Sequence, residues 1–154
     1  MQTSCDARDF SKNELAAEAI RCFGELCLRV TGSSMLPALR PGDVLLIRHC
    51  TIEESRLGDI ILYIRRRRLF AHRVISRSAA RLVTQGDSIA EPDPSVTANE
   101  LLGKVVRVMR RGKRICHESR PTLPARMAAV LFRRSATAGR VFTRLQGLQS
   151  RAGL

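Results

Sequence analysis

The segment LCLRVTGSSMLPALRPGDVLLI, residues 26–47, joins two apolar runs through two turns. Leu26 to Val30 and Val44 to Ile47 are short and rich in Leu, Ile and Val, which is typical of β-strands. Thr31 to Pro37 is predicted to form a tight turn, where a serine hydroxyl is exposed and amide N–H groups can face an oxyanion. Ser and Gly also occur in turns that only connect strands, so this segment alone leaves a nucleophile and a plain connector open.

The strand pattern continues towards the C-terminus. Short apolar runs occur at residues 60–64, 69–75, 82–84 and 102–109. Three Gly-Asp pairs, at 42–43, 58–59 and 86–87, separate these runs, and Gly-Asp is typical of turns. The four arginines 65–68 are predicted to form a solvent-facing hairpin tip. Many short strands without alternating long helices predict a mainly-β fold, with an antiparallel sheet curled into a barrel-like shape.

Helices are predicted at both ends of the chain. Residues 1–10 are expected to be unstructured, and Ser11 to Glu14 form a capping box that begins an amphipathic helix at residues 12–24. The apolar face of this short helix consists of Leu15, Ala16, Ile20 and Phe23. Residues 125–147 predict a second helix, which is basic. The expected organisation is a tail and helix (1–25), a strand-rich domain that contains the Ser34 turn (26–118) and a basic helical tail (119–154).

The composition limits the classes of partner. The 154 residues carry a net charge of +13, nearly all of it from arginine, which favours an anionic partner such as lipid headgroups or nucleic acid. Arginine-rich composition also arises from genomic base bias, which requires no such partner. Aromatic residues are 4% of the chain and Trp is absent, so little is available to stack on bases. We therefore expect no nucleic-acid partner.

Cysteine content and hydropathy limit the setting. The five cysteines include no Cys-x-x-Cys pair, so we expect reduced thiols, no metal site and no cofactor. The N-terminus lacks the pattern of a signal peptide, and no apolar run approaches the ~20 residues that span a bilayer. We expect a cytoplasmic protein, or one peripheral to an anionic membrane through the helix at 125–147.

A serine nucleophile requires a general base. No lysine lies between Lys12 and Lys104, which leaves His72, inside an apolar strand, as the nearby candidate. An acid that orients the imidazole could be Asp87 or Asp93, which flank the turn at residues 86–93. Each of these residues also has an ordinary structural interpretation, as a packed strand histidine or as turn aspartates that cap backbone amides.

Six short motifs resemble, in order and spacing, those of the type I signal peptidase family. They are Gly32-Ser33-Ser34-Met35-Leu36-Pro37, Pro41-Gly42-Asp43-Val44, Gly58-Asp59-Ile60-Ile61, His72-Arg73-Val74, Gly86-Asp87 and Gly103-Lys104-Val105. The resemblance covers about residues 28–108. It implies a mostly antiparallel, barrel-like fold, which self-cleaving SOS and phage repressors share. His in place of the bacterial Lys resembles the endoplasmic-reticulum and archaeal branch, although a transmembrane anchor is expected to be missing here.

The resemblance also implies the roles of individual residues. Ser34 matches the nucleophile, His72 the general base and Asp93 the acid that completes the site. Asp87, Ser33 and Gly32 match supporting positions, although some family members carry a hydroxyl donor where Gly32 stands. Met35 and Pro37 are expected to contact the substrate.

Three interpretations of function follow. The first is a serine endopeptidase that cleaves a leader or signal-type peptide after small residues, as the resemblance implies. The second is a catalytically silent peptide-binding or regulatory module on the same fold. The third, a basic nucleic-acid binder, is disfavoured by the composition. A hydrogen bond between Ser34 and His72 would separate the first interpretation from the second.

Overall fold

The computed structural model describes the backbone of residues 3–115 and the side chains of residues 12–115. Its strands are β1 (Glu25–Arg29), β2 (Val44–Arg48), β3 (Ile60–Arg65), β4 (Arg68–Arg77), β5 (Arg81–Gln85), β6 (Val96–Thr97), β7 (Leu101–Arg110) and β8 (Lys113–Ile115). They form one antiparallel sheet in the order β1-β2-β7-β3-β4-β5-β6, with β8 also paired to β7. The prediction of a mainly-β antiparallel fold is confirmed.

The sheet is open. Strands β1 and β6 stand at its two ends, and within residues 3–115 they do not pair with each other to close a barrel. The predicted curling therefore stops short of closure. β7 bridges the sheet because it pairs with β2 on one side and with β3 and β8 on the other.

Apolar side chains cover both faces of the central strands. On β3, Ile60 and Leu62 belong to one buried cluster, whereas Ile61 and Tyr63 belong to a second cluster on the opposite face. Successive side chains of a strand point to opposite faces, so a strand buried on both faces has a continuous apolar run. This explains why β3 has no polar alternation in the sequence.

The helix α1 (Thr3–Phe23) begins earlier than predicted and packs through different residues. Residues 3–10 contain no Pro or Gly and open with Thr and Ser, so nothing in the sequence delays the helix until Ser11. Ala17 and Ile20 are buried against the sheet, whereas Leu15 and Phe23 of the predicted apolar face are 72% and 81% exposed. Ile20 of the predicted face is confirmed as buried, whereas the prediction was wrong for Leu15 and Phe23, because the buried face is rotated towards Ala17.

The turns are those that the sequence predicts. Before β2, the Asp43 carboxylate accepts a hydrogen bond from the Arg40 N–H (2.9 Å) and Gly42 has φ +95°. Before β3, Gly58-Asp59 repeats this arrangement with Arg56. The hairpin tip between β3 and β4 is also confirmed, since residues 66–67 form the two-residue turn with positive φ.

Residues 3–115 include no helix that is long and apolar enough to cross a membrane. The predicted basic helix at residues 125–147 lies outside the described residues.

Candidate active site

Three distant segments of the chain bring Ser34, His72 and Asp93 together. Ser34 lies in the turn after β1, His72 on β4, and Asp93 in the loop between β5 and β6. The His72 Nε2 atom is 2.9 Å from Ser34 Oγ, and His72 Nδ1 is 2.7 Å from Asp93 Oδ2. The structure therefore joins the serine, the histidine and one of the two candidate acids in a continuous hydrogen-bonded chain.

The hydrogen bonds match one tautomer of a neutral imidazole. An ionised carboxylate only accepts, so Nδ1–H of His72 donates to Asp93 and the other nitrogen, Nε2, accepts from the Ser34 hydroxyl. The His72 side chain is 4% exposed and that of Asp93 is 17% exposed. A neutral imidazole in this arrangement can take the serine proton, and the adjacent carboxylate then stabilises the charged ring.

Packing fixes the plane of the imidazole. His72 pairs with Ile61 in the β3–β4 register, so its side chain shares a face with those of Tyr63 and Phe70. The rings of Tyr63 and Phe70 stack with centroids 5.4 Å apart, and the imidazole packs edge-on against both. The histidine can thus turn little about its side-chain bonds.

Asp93 is bound to β5 by two hydrogen bonds to a single residue. Its backbone N–H donates to the carbonyl of Thr84 (2.8 Å), and its Oδ2 accepts from the Thr84 hydroxyl (2.7 Å). The phenol of Tyr63 lies beside the Thr84 hydroxyl and the Asp93 carboxylate, and burial raises the pKa of that phenol to about 12. Tyr63 therefore stays neutral at physiological pH.

Ser88 forms two hydrogen bonds to the turn that carries Ser34. Its hydroxyl donates to the Ser33 carbonyl and its N–H donates to the Ser34 carbonyl, both at 2.9 Å. In a trans peptide the carbonyl and the following N–H point in opposite directions. The N–H groups of Ser34 and Met35 therefore point away from Ser88, and neither donates a hydrogen bond to another described residue.

The loop also lies close to the Ser34 turn at Gly86. A Cβ atom added there would lie 2.7 Å from the Ser34 carbonyl oxygen and would meet Ile89 as well. A larger residue at position 86 would clash with the Ser34 carbonyl oxygen. Ser88, two positions later, bonds the same oxygen, so the clash would push Ser88 and Ser34 apart. The Gly-Asp motif at 86–87 thus begins with a residue that the site needs for space.

The two ring nitrogens of His72 bond Asp93 and Ser34, whereas Asp87 bonds a different side chain. Its carboxylate forms a two-pronged ion pair with the Arg73 guanidinium, with both N–O distances at 2.9 Å. Arg73 also donates to the carbonyl of Gly58 at the turn before β3. Both side chains are buried, so this pair ties the start of the loop to the body of the sheet.

A second arginine holds the far end of the same loop. Arg65 donates to the backbone carbonyls of Pro94 and Ser95 at 2.9 and 2.8 Å, and it also pairs with Glu100. The hydrogen bond from Arg65 lowers the pKa of Glu100 to about 2. Arg65 was expected to be part of a solvent-facing tip, but it fixes the segment directly after Asp93.

The remaining predicted site residues lie in or beside the turn that carries Ser34. A Cβ atom at Gly32 would meet no atom within 4 Å, so space for a side chain exists there. Met35 is 3% exposed and packs in the same core cluster as Ala17 and Ile20. Pro37 is partly buried and follows a cis peptide bond. The Met35 side chain thus packs inside the protein. Its contact with a substrate stays a prediction.

The sequence pattern does not predict the roles of Arg65, Thr84 and Ser88. Only Thr84 carries a visible signal. It lies two residues after Leu82 on β5, so the two side chains share a face, and both are fully buried. A polar residue at an inward strand position needs a partner. Among the described side chains, those of residues 12–115, no group of three or more His, Cys, Asp or Glu is placed to hold a metal ion.

Comparison with protein-family models and with curated protein sequences gives no match for this chain.

Proposed function

We propose that this protein is a serine endopeptidase with Ser34 as nucleophile, His72 as general base and Asp93 as the residue that orients the imidazole. The observation that carries the proposal is the unbroken chain Ser34 Oγ–His72 Nε2 (2.9 Å) and His72 Nδ1–Asp93 Oδ2 (2.7 Å). A nucleophile, a base and an orienting acid within hydrogen-bond reach are the geometric requirements for acyl transfer.

The reaction proceeds in two halves. His72 Nε2 takes the Ser34 proton as Oγ bonds to the peptide carbonyl carbon, and the imidazolium then gives that proton to the leaving amine as the C–N bond breaks. A water molecule, deprotonated by His72, attacks the acyl-enzyme and releases the carboxylate product. The proton returns to Ser34, while Asp93 holds the imidazole tautomer and stabilises its charged form throughout.

The oxyanion of each tetrahedral intermediate is held by the backbone N–H of Ser34, with Met35 N–H as the adjacent donor. Support comes from the two hydrogen bonds that Ser88 donates to the carbonyls of Ser33 and Ser34. They hold these carbonyls towards Ser88, so the N–H groups of Ser34 and Met35 point the other way. Gly32 supplies no hydroxyl, so backbone donors carry this task here.

The sheet offers a place for an extended substrate beside the base. β5 pairs with residues 73–77 of β4, and no described strand pairs with residues 68–72 on that side. A peptide that adds as a strand at this edge would pass His72. The proposed substrate is a leader or signal-type peptide cleaved after small residues. Contact with an anionic membrane through residues 125–147, and a cytoplasmic or peripheral location, belong to the same proposal.

The alternative is a silent peptide-binding module on the same fold. Binding alone would not require a serine hydroxyl 2.9 Å from a buried imidazole whose second nitrogen is bonded to a carboxylate. This geometry favours the enzyme.

The test is cleavage of a library of peptides with small residues, read by mass spectrometry, with and without anionic vesicles. We expect the wild type to cleave, Ser34→Ala and His72→Ala to be inactive, and Ser76→Ala, an exposed serine on β4, to match the wild type. Cleavage that survives in Ser34→Ala, or a wild type inactive under both conditions, would contradict the proposal.

A further inference from the structure

The orienting carboxylate has a second donor on the oxygen that it presents to the base. Asp93 Oδ2 accepts from His72 Nδ1 and from the Thr84 hydroxyl, both at 2.7 Å. Thr84 is fully buried, and its own carbonyl accepts the Asp93 N–H at 2.8 Å. One residue thus fixes both the backbone and the carboxylate of Asp93.

We propose that Thr84 is a positioning residue, whose hydroxyl holds Asp93 Oδ2 at the distance and angle at which it bonds His72. This inference rests on the proposed function, because it assigns Thr84 a task only within that reaction. It names a residue that acts through Asp93 and touches neither the substrate nor the reacting atoms.

The physical reason lies in the freedom of an aspartate side chain. The terminal torsion of Asp is broad, so a carboxylate in a loop can turn either oxygen towards a neighbour. Thr84 is β-branched and lies on a strand, where its χ1 torsion is restricted. The hydrogen bond from this restricted hydroxyl to one carboxylate oxygen limits the rotation of the carboxylate. The two hydrogen bonds between residues 84 and 93 also keep this part of the loop next to β5.

The surroundings leave few other charges to direct Asp93. The groups that face it are the His72 imidazole, the Thr84 hydroxyl and the neutral phenol of Tyr63, whose hydroxyl interacts with both Thr84 and Asp93. The Arg65 guanidinium stands over the Tyr63 ring, 5.4 Å from its centroid, and is committed to Glu100 and to the chain after Asp93. Thr84 therefore supplies the hydroxyl donor that shares Oδ2 with the base.

The experiment compares Thr84→Val, which keeps the shape and removes the donor, with Thr84→Ser, which keeps the donor. Thr97→Val is the matched control, because its hydroxyl also bonds a carboxylate, that of Glu100 (3.2 Å). Steady-state cleavage of the best library peptide gives kcat and KM. Proton NMR follows the low-field signal of the His72 Nδ1–H, assigned by its loss in His72→Gln.

We expect Thr84→Val to lower kcat about 10- to 100-fold, the range for a lost hydrogen bond to a charged group, with KM unchanged. The low-field signal should shift or broaden in this variant. Thr84→Ser should keep most of the rate and the signal, and Thr97→Val should match the wild type in both.

The outcomes separate this inference from the proposed function. An active wild type whose rate and low-field signal survive in Thr84→Val overturns the inference alone. Equal losses in Thr84→Val and Thr84→Ser, with the signal in place, show that Thr84 only packs, and they also overturn it. A wild type that cleaves nothing overturns the proposed function, and the inference falls with it.

Discussion

The two ends of the loop between β5 and β6 carry the same residue type with different partners. At the start, Asp87 has both oxygens bonded to the Arg73 guanidinium. Towards the end, Asp93 bonds His72 and Thr84. His72 and Arg73 are consecutive on β4, so their side chains point to opposite faces of the sheet. Two consecutive residues of one strand thus bond the two carboxylates. One carboxylate is bonded to an imidazole and the other to a permanent cation.

The difference shows that the partner, more than the residue type, determines what a buried carboxylate can do. Arginine stays charged at any pH that a folded protein experiences, so we infer that the Asp87–Arg73 pair holds the loop and takes no part in the proposed proton transfer. Histidine gains or loses a proton near neutral pH, so a carboxylate bonded to it can stabilise the charged imidazole that a proton transfer forms. We therefore assign chemistry to the Asp93 end and support to the Asp87 end.

The largest effect is expected from Asp93→Asn. The amide oxygen can still accept from Thr84 and from His72 Nδ1–H, but the neutral amide cannot stabilise the charged imidazole as a carboxylate does, and kcat should fall about 10²- to 10⁴-fold. Thermal unfolding should change little, because the variant keeps the shape and the backbone bond to Thr84. Peptide cleavage and calorimetry measure the two quantities. A variant that unfolds early but cleaves at the wild-type rate would reverse the assignment.

Asp87→Asn should show the opposite pattern. It leaves a buried guanidinium without its carboxylate, and breaking such a pair costs about 3–5 kcal/mol in the free energy of unfolding. The protein that stays folded should lose less kcat than Asp93→Asn does, because the His72 hydrogen bonds are intact. Urea unfolding and cleavage at low temperature test this. Full stability with kcat as low as in Asp93→Asn would show that Asp87 acts in the reaction.

The sheet could be predicted from sequence because its signals are local. Short apolar runs and Gly-Asp turns identify β2 to β5 and β7 within a residue or two at their ends. β6 and β8 have two and three residues, too few for a pattern. The face of α1 could not be fixed, because a helix with apolar residues on several sides needs the sheet to select one.

The candidate site shows the same division. The resemblance points to Ser34, His72 and Asp93, but the residues taken alone leave Asp87 and Asp93 equivalent, since both are turn aspartates in one loop. The strand register decides between them, and register depends on pairing between distant segments. The second task of Arg65 has the same origin, because Pro94, Ser95 and Glu100 approach it only through the folded sheet.

The smallest effect concerns the arginine that holds the Asp93 end. Arg65 keeps the pKa of Glu100 at about 2, below the ordinary 4.5, so this pair stabilises the folded protein above pH 4.5 and its contribution is lost as the pH falls towards 2. Glu100→Gln should therefore lower the free energy of unfolding at pH 7 by about 1 kcal/mol or less, because solvent screens a partly exposed pair.

The pH dependence makes that small difference specific. The gap between wild type and Glu100→Gln should close between pH 4.5 and about 2, as measured by urea unfolding at several pH values. Glu25→Gln, which breaks the more exposed pair with Arg48, is the control and should change stability still less. A gap that stays constant through this range would mean that Glu100 contributes by packing. The Asp93 end would then be held by the bonds of Arg65 to Pro94 and Ser95, without help from the carboxylate.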